Sequence, residues 1–103
     1  MHLAEWREWW RTTGEPELQG LLGASWDPYA DQDFRGAADA RLFELARRLH
    51  EGANVVDVRV FLSDLRHMRW PERIGRKWMT RDRRVAEKVV SWYHHSTGES
   101  PRD

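Results

Sequence analysis

Residues 52–70, with the sequence GANVVDVRVFLSDLRHMRW, contain the clearest structural signal in this chain. Gly52 can end a preceding helix in a left-handed conformation, and Asn54 is a favoured N-terminal cap for the next helix. The apolar residues that follow at helical spacing are Val58, Phe61, Leu62, Leu65 and Met68. Because Pro71 stops this pattern, we predict a helix over residues 54–70.

A second apolar stripe precedes this helix. The apolar residues at helical spacing within it are Leu42, Leu45, Ala46 and Leu49. Basic side chains gather near its end, where cations oppose the helix dipole. Since the link at residues 52–53 is very short, we predict a central helical hairpin made of residues 37–51 and 54–70.

The N-terminal segment predicts two shorter helices. Trp6 and Trp10 share one face of an amphipathic helix that is expected to end near Gly14. Pro16 suits the first turn of a second helix, because the missing N–H would have no helical partner there.

A last helix is predicted towards the carboxyl end, with Thr80 as its cap and Asp82 in its first turn. The fold class is therefore all-α, a compact bundle of four or five short helices. Residues 1–96 form a single domain, and the polar residues 97–103 are predicted to be a disordered tail.

The composition excludes several classes of protein. The chain of 103 residues has no cysteine, so it has neither disulfides nor a thiolate metal site. No window reaches the length of a membrane span, and we expect a cytoplasmic protein that makes no membrane contact. The seven tryptophans make it tryptophan-rich, and most should pack in the core. Exposed indoles at Trp6, Trp9 or Trp10 would instead favour a homodimer.

Charge is distributed unevenly along a chain whose net charge is zero. The first 52 residues carry ten acidic and six basic side chains, whereas the rest carry seven acidic and eleven basic ones. The two halves can attract each other within the fold, and the same asymmetry permits an electrostatic surface for a partner.

An acid-rich stretch between the second and third predicted helices is the first candidate binding surface. It has acids beside aromatic side chains, which suits a basic protein partner. Its candidate residues are Trp26, Asp27, Tyr29, Asp31 and Asp33. A calcium loop counted from Asp27 would need glycine at its sixth position and glutamate at its twelfth, and the chain has Gln32 and Ala38 there. We therefore predict no metal and no cofactor.

Catalytic signals are weak. None of the five histidines pairs with another at the spacing that aims two ligands from one helical face. His67 and Asp64 stand three residues apart on the central helix, an arrangement common on solvated faces. Phosphate loops, nucleophile elbows and zinc-protease motifs do not occur, and we predict that the protein is not an enzyme.

A basic segment over residues 66–88 is the second candidate surface, with Trp70 and Trp78 among its cations. Such cations attract phosphates, and exposed aromatic rings stack on bases. The residues predicted for nucleic-acid binding are Arg69, Arg73, Arg76, Lys77, Arg83 and Arg84. The alternative is a solvated basic face that complements the acidic loop. The connection around Pro71 is also too long for an ordinary helix-turn-helix.

Several short motifs follow one another in a distinctive order along most of the chain. They are Leu21-Leu22, Trp26-Asp27-Pro28, the acids up to Asp33, Gly52-Ala53, Phe61-Leu62 and Arg84-Val85-Ala86. This order resembles the YugE-like family of small bacterial helical proteins of unknown function, although Tyr29-Ala30 departs from the apolar–glycine pair expected there. The resemblance implies a small multi-helix fold, no known catalytic residues and an accessory or immunity-type role.

Two functions follow as hypotheses from these patterns. The first is a non-enzymatic protein-binding module, such as an immunity- or antitoxin-like inhibitor, whose acidic loop binds a basic partner such as a toxin or an enzyme. The alternative is a nucleic-acid-binding helical protein that uses the basic segment.

Overall fold

The computed structural model describes residues 2–99, and every regular element in that range is helical. The six α-helices are α1 Leu3–Trp9, α2 Glu15–Ser25, α3 Gln32–Asp39, α4 Leu42–His50, α5 Val55–Arg69 and α6 Arg76–Thr97. A π-helical turn, Trp10–Gly14, joins α1 to α2, and a 3₁₀ turn, Asp27–Ala30, precedes α3. The prediction of an all-α bundle is confirmed. None of these helices is both long and apolar enough to cross a membrane.

The first helix does not end near Gly14, as the sequence predicted, but continues through the π turn into α2. Pro16 has no N–H, and its ring would crowd the carbonyl four residues before it in a regular α-helix. The chain widens instead, and the Glu15 N–H bonds to the Trp10 carbonyl five residues back. Gly14 permits this turn, since a Cβ there would lie 2.7 Å from the Trp10 indole.

The predicted helix over residues 37–51 is divided into α3 and α4. α3 begins earlier, at Gln32, because the Asp31 carboxylate caps it by accepting a hydrogen bond of 2.9 Å from the Phe34 N–H. It ends at Asp39, and a turn leads into α4. The first arm of the predicted hairpin is therefore shorter than expected, and α5 packs most extensively against α6.

The start of α5 follows the prediction closely. The Asn54 side chain accepts a bond of 3.0 Å from the Asp57 N–H, and the Asp57 carboxylate accepts one of 3.1 Å from the Asn54 N–H. This reciprocal capping box satisfies two N–H groups that the helix itself leaves free. Local chemistry thus fixes where α5 begins.

α6 is longer than predicted, because it begins at Arg76 and not at Thr80. Gly75 precedes it with φ +105°, a conformation that favours glycine, and Gly98 ends it with φ +76°. Residues 97–99 of the predicted tail are described: α6 runs to Thr97, and the Glu99 carboxylate accepts a hydrogen bond from the Tyr93 hydroxyl. Residues 100–103 lie outside the described residues.

The core is built from aromatic rings and leucines where the helices meet. Its fully buried members include Trp6, Leu18, Leu22, Leu45, Leu62 and Val89. Trp10 is also buried, and Trp9 packs partly buried against the core, so Trp6 and Trp10 are not the exposed indoles that the homodimer prediction needs. Met68, assigned to the apolar stripe of α5, is instead 72% exposed.

Candidate functional site

The aromatic residues of the predicted acidic surface lie in the core. Trp26 and Tyr29 are each 3% exposed, so the expectation that they line a protein-binding surface was wrong. Trp26 donates its indole N–H to the Asp82 carboxylate at 3.2 Å, and the Tyr29 hydroxyl donates to Asp39. Burial, together with the Asp39 carboxylate, raises the pKa of Tyr29 above its ordinary value. Both rings therefore stabilise the fold.

The carboxylates of the same loop face the basic segment. Asp31, which caps α3, lies 3.7 Å from the Arg69 guanidinium. The Asp27 carboxylate, which is 83% exposed, lies 3.8 Å from the Arg81 guanidinium. Asp33 is exposed and makes no ion pair within the described part of the chain. The fold thus brings the two candidate surfaces together along one side of the molecule.

The residues predicted for nucleic-acid binding do not all share a face. Arg69 ends α5, and Arg73 lies half-buried in the loop before α6. Along α6, Arg83 turns towards Glu87, to which it lies 3.6 Å away, on a different side of the helix from Arg84. Arg76 is displaced in the same direction as Arg83.

Four cations at helical spacing on α6 form a continuous basic stripe. At 100° per residue its members fall within a narrow arc, and at 1.5 Å per residue the stripe is about 16 Å long. They are Lys77, Arg81, Arg84 and Lys88, all exposed. Arg81 and Lys88 were missing from the predicted set. Their helical periodicity could have revealed them, but a helix that starts at Thr80 leaves Lys77 outside and conceals the stripe.

Two tryptophans beside the stripe are surrounded by cations. Trp78 has the guanidinium carbons of Arg73 and Arg81 at 5.1 and 5.0 Å from its ring centroid. Arg73 also lies 4.8 Å from the centroid of Trp70 and so connects the two rings. Trp70 in turn packs against Phe34, with centroids 5.3 Å apart. Cations over indole faces are attracted by the ring quadrupole.

A buried ion pair holds this arrangement in place. Arg66 donates to the Asp82 carboxylate through Nη2 at 2.8 Å and Nε at 3.0 Å, and Ser63 donates to the same carboxylate at 2.7 Å. Arg66 also donates to the Arg73 carbonyl and so ties down the loop before α6. The sequence pattern placed Arg66 in the basic segment and Asp82 in the first turn of the last helix, and it did not reveal that the two form a pair. Each is nearly fully buried.

A cleft of about 260 Å³ opens between α6 and the junction of α2 with the 3₁₀ turn. Its lining includes the half-exposed Trp78, the buried Trp26 and Val85, and the polar residues Ser25, Asp27 and Asp82. Three cations of the stripe contribute to its lining: Arg81, Arg84 and Lys88. A half-exposed indole beside several cations can accept a planar group attached to an anion.

His67 and Asp64 lie exposed on α5 and are not hydrogen-bonded to each other. Within residues 2–99, no group of three histidine, aspartate or glutamate side chains is arranged to hold a metal ion.

Comparisons of the chain with family models, with curated proteins and with solved structures found no match. The resemblance to the YugE-like family therefore stays a hypothesis.

Proposed function

We propose that this protein binds nucleic acid through a basic face, defined as the stripe Lys77, Arg81, Arg84 and Lys88 together with Arg73, Trp70 and Trp78. The observation that carries the proposal is the alignment of four cations along one side of α6. Lys77, Arg84 and Lys88 make no ion pair with any described residue, so their charge is available to phosphates.

The acids near this face are too weakly engaged to neutralise it. The Asp27–Arg81 and Asp31–Arg69 pairs are separated by 3.8 and 3.7 Å and lie at the surface. Exposed pairs of this kind contribute only about 0–1 kcal/mol each. A polyanion that offers several phosphates at once can therefore displace them at small cost.

The zero net charge of the protein does not oppose this function, because binding depends on the local field. The acids and cations of α6 are segregated: Asp82 is buried beneath the helix and Glu87 pairs with Arg83 on another side. The stripe itself contains no acid. A phosphate backbone that approaches along α6 meets cations spaced about 4.5–6 Å apart along the helix axis.

A salt-dependent titration tests the proposal. Binding of a fluorescently labelled oligonucleotide is measured at several salt concentrations for the wild type and for R84Q/K88Q. Removing two phosphate contacts should weaken binding at low salt and lower the slope of log K against log salt by about 1.4 for a single strand. R7Q/R47Q is the matched control, since Arg7 and Arg47 are exposed, lie on other helices and make no ion pair with described residues.

R7Q/R47Q should bind like the wild type. Failure of the wild-type protein to bind any oligonucleotide at low salt would rule this function out. Equal losses in the two double variants would mean that net charge, and not the basic face, governs the interaction.

A second candidate is a non-enzymatic module that binds a basic protein, in the manner of an immunity- or antitoxin-like inhibitor of a toxin or enzyme. The exposed carboxylates of Asp27 and Asp33 favour it, although Trp26 and Tyr29 are buried and do not belong to this surface. A partner captured from the native host and purified would be titrated with D27A/D33A. E5A/D64A removes two exposed acids elsewhere and serves as the control; Asp31 is kept because it caps α3.

A further inference from the structure

We infer that the cleft beside Trp78 receives an unstacked nucleobase, so that the protein selects single-stranded over duplex nucleic acid. This inference rests on the proposed function and specifies which form of nucleic acid the basic face recognises. Three features of the cleft support it: the half-exposed indole of Trp78, the size and lining of the cleft, and the cations that border it.

The indoles of the chain fall into two groups. Four of them donate their N–H to a side chain and so have a clear structural role: Trp6 to Tyr93, Trp9 to Ser96, Trp26 to Asp82 and Trp92 to Glu17. Trp10, Trp70 and Trp78 have no such partner among the described residues. Trp10 is buried, whereas Trp70 and Trp78 are half-exposed and lie on the basic face. Trp78 is therefore a half-exposed indole in the lining of the cleft, with Arg73 and Arg81 close to its ring and no N–H partner among the described residues.

The volume of the cleft suits a single aromatic group. Its volume of about 260 Å³ is slightly below the range of roughly 300–1,000 Å³ for pockets that enclose drug-sized ligands. One planar ring can enter, while a whole dinucleotide cofactor cannot. Among its apolar lining residues, Trp78 is half-exposed, whereas Trp26 and Val85 are buried. Ser25, Asp27 and Asp82 are polar residues of the same lining.

The cations are placed for the phosphates on either side of such a base. Arg81, Arg84 and Lys88 all line the cleft and belong to the stripe. A single strand can follow the stripe with its backbone while it turns one base into the cleft, the combination used for single-stranded recognition. In a duplex the bases are paired and stacked, and removing one costs a few kcal/mol. The cleft thus favours strands whose bases are already free.

Three labelled probes of equal length separate phosphate binding from base binding. They are a single-stranded oligonucleotide, its duplex and an abasic single strand with the same phosphates. We expect the single strand to bind about tenfold more tightly than the abasic strand, as one stacked base contributes. Deoxyribose and ribose versions of the single strand show whether the sugar is also read.

Two variants connect this preference to the cleft. S25F places a ring where the base would enter, and it should reduce affinity for the single strand to that for the abasic strand while leaving abasic binding unchanged. A24F is its matched control, because Ala24 is the exposed neighbour of Ser25 on α2 and does not line the cleft. W78L removes the indole from the cleft and should bring the ratio of single-strand to abasic affinity close to one, even where the loss of the Arg73 and Arg81 contacts also weakens abasic binding.

Circular dichroism establishes whether each variant is folded. If S25F does not fold, W78L alone tests whether the cleft binds the base. Equal affinity of the wild type for the single and abasic strands would overturn the inference, as would unchanged single-strand binding by S25F and W78L. In both cases the proposed nucleic-acid function would survive. Absence of binding to all three probes at low salt would refute the proposed function, and the inference with it.

Discussion

Arg66 and Asp82 form a buried ion pair that joins α5 to α6, with 2.8 Å between Nη2 and Oδ2. The Asp82 carboxylate also accepts hydrogen bonds from Trp26 and Ser63, so three separate segments of the chain meet at one group. Through its bond to the Arg73 carbonyl, Arg66 positions the loop that carries one of the cations of the basic face. The polar centre of the fold and the proposed binding surface are therefore directly connected.

Breaking this pair should be costly. D82A leaves the Arg66 guanidinium buried without its counter-charge, and we expect the free energy of unfolding to fall by about 3–5 kcal/mol in urea denaturation. D64A, at an exposed site on α5, should change it by less than about 0.5 kcal/mol. A loss below about 1 kcal/mol for D82A would mean that Asp82 does not neutralise Arg66 in the folded protein.

The π turn predicts opposite effects for two glycine-to-alanine substitutions. G14A should lower the free energy of unfolding by about 1–3 kcal/mol, because its Cβ would lie 2.7 Å from the Trp10 indole. In G20A, on α2, the new Cβ meets nothing within 4 Å, and alanine should stabilise the helix by about 0.5–1 kcal/mol. Thermal or urea unfolding gives both values. Stabilisation by G14A would show that the indoles do not close over this position.

The capping box of α5 predicts a moderate loss. N54A removes the acceptor for the Asp57 N–H, and we expect unfolding free energy to fall by about 1 kcal/mol. Q32A provides the comparison, since Gln32 is the exposed first residue of α3 and its side chain makes no cap. A similar loss in both variants would argue against a specific role for the Asn54 side chain.

The two tyrosines predict a loss of stability in alkali. Burial raises the pKa of Tyr93, and so does the bond that its hydroxyl donates to Glu99; burial and Asp39 do the same for Tyr29. Unfolded tyrosine loses its proton near pH 10, whereas these two keep theirs in the folded state. The stability contribution is therefore complete below about pH 10 and lost as the pH rises above it.

Ultraviolet absorbance of tyrosinate follows this directly. Neither tyrosine should titrate near pH 10 in the native protein, and both should do so in urea. Y29F identifies which group contributes to each step. A native-state titration near pH 10 that accounts for one tyrosine would contradict the burial of that hydroxyl.

The helices could be predicted where their determinants are local. The start of α5 was recognisable because Asn54 and Asp57 are three residues apart and cap each other without help from the rest of the fold. The start of α3 was missed although Asp31 uses the same chemistry, because its apolar pattern covers few turns. The start of α6 was missed as well, since Thr80 offered a stronger cap signal than Gly75, whose effect comes from its positive φ.

The candidate site depends on contacts between segments that are distant in the sequence. The sequence by itself determined that the chain is all-α, that its cations concentrate in the second half and that indoles stand among them, because composition and helical periodicity are properties of neighbouring residues. Only the tertiary structure decided that Trp26 and Tyr29 are buried, that Asp82 faces Arg66 and that Asp27 and Asp31 lie against the basic segment. Burial and ion pairing between distant segments are set by how the helices pack. Helical spacing within one segment carries no information about which charged side chain of another helix will lie against it.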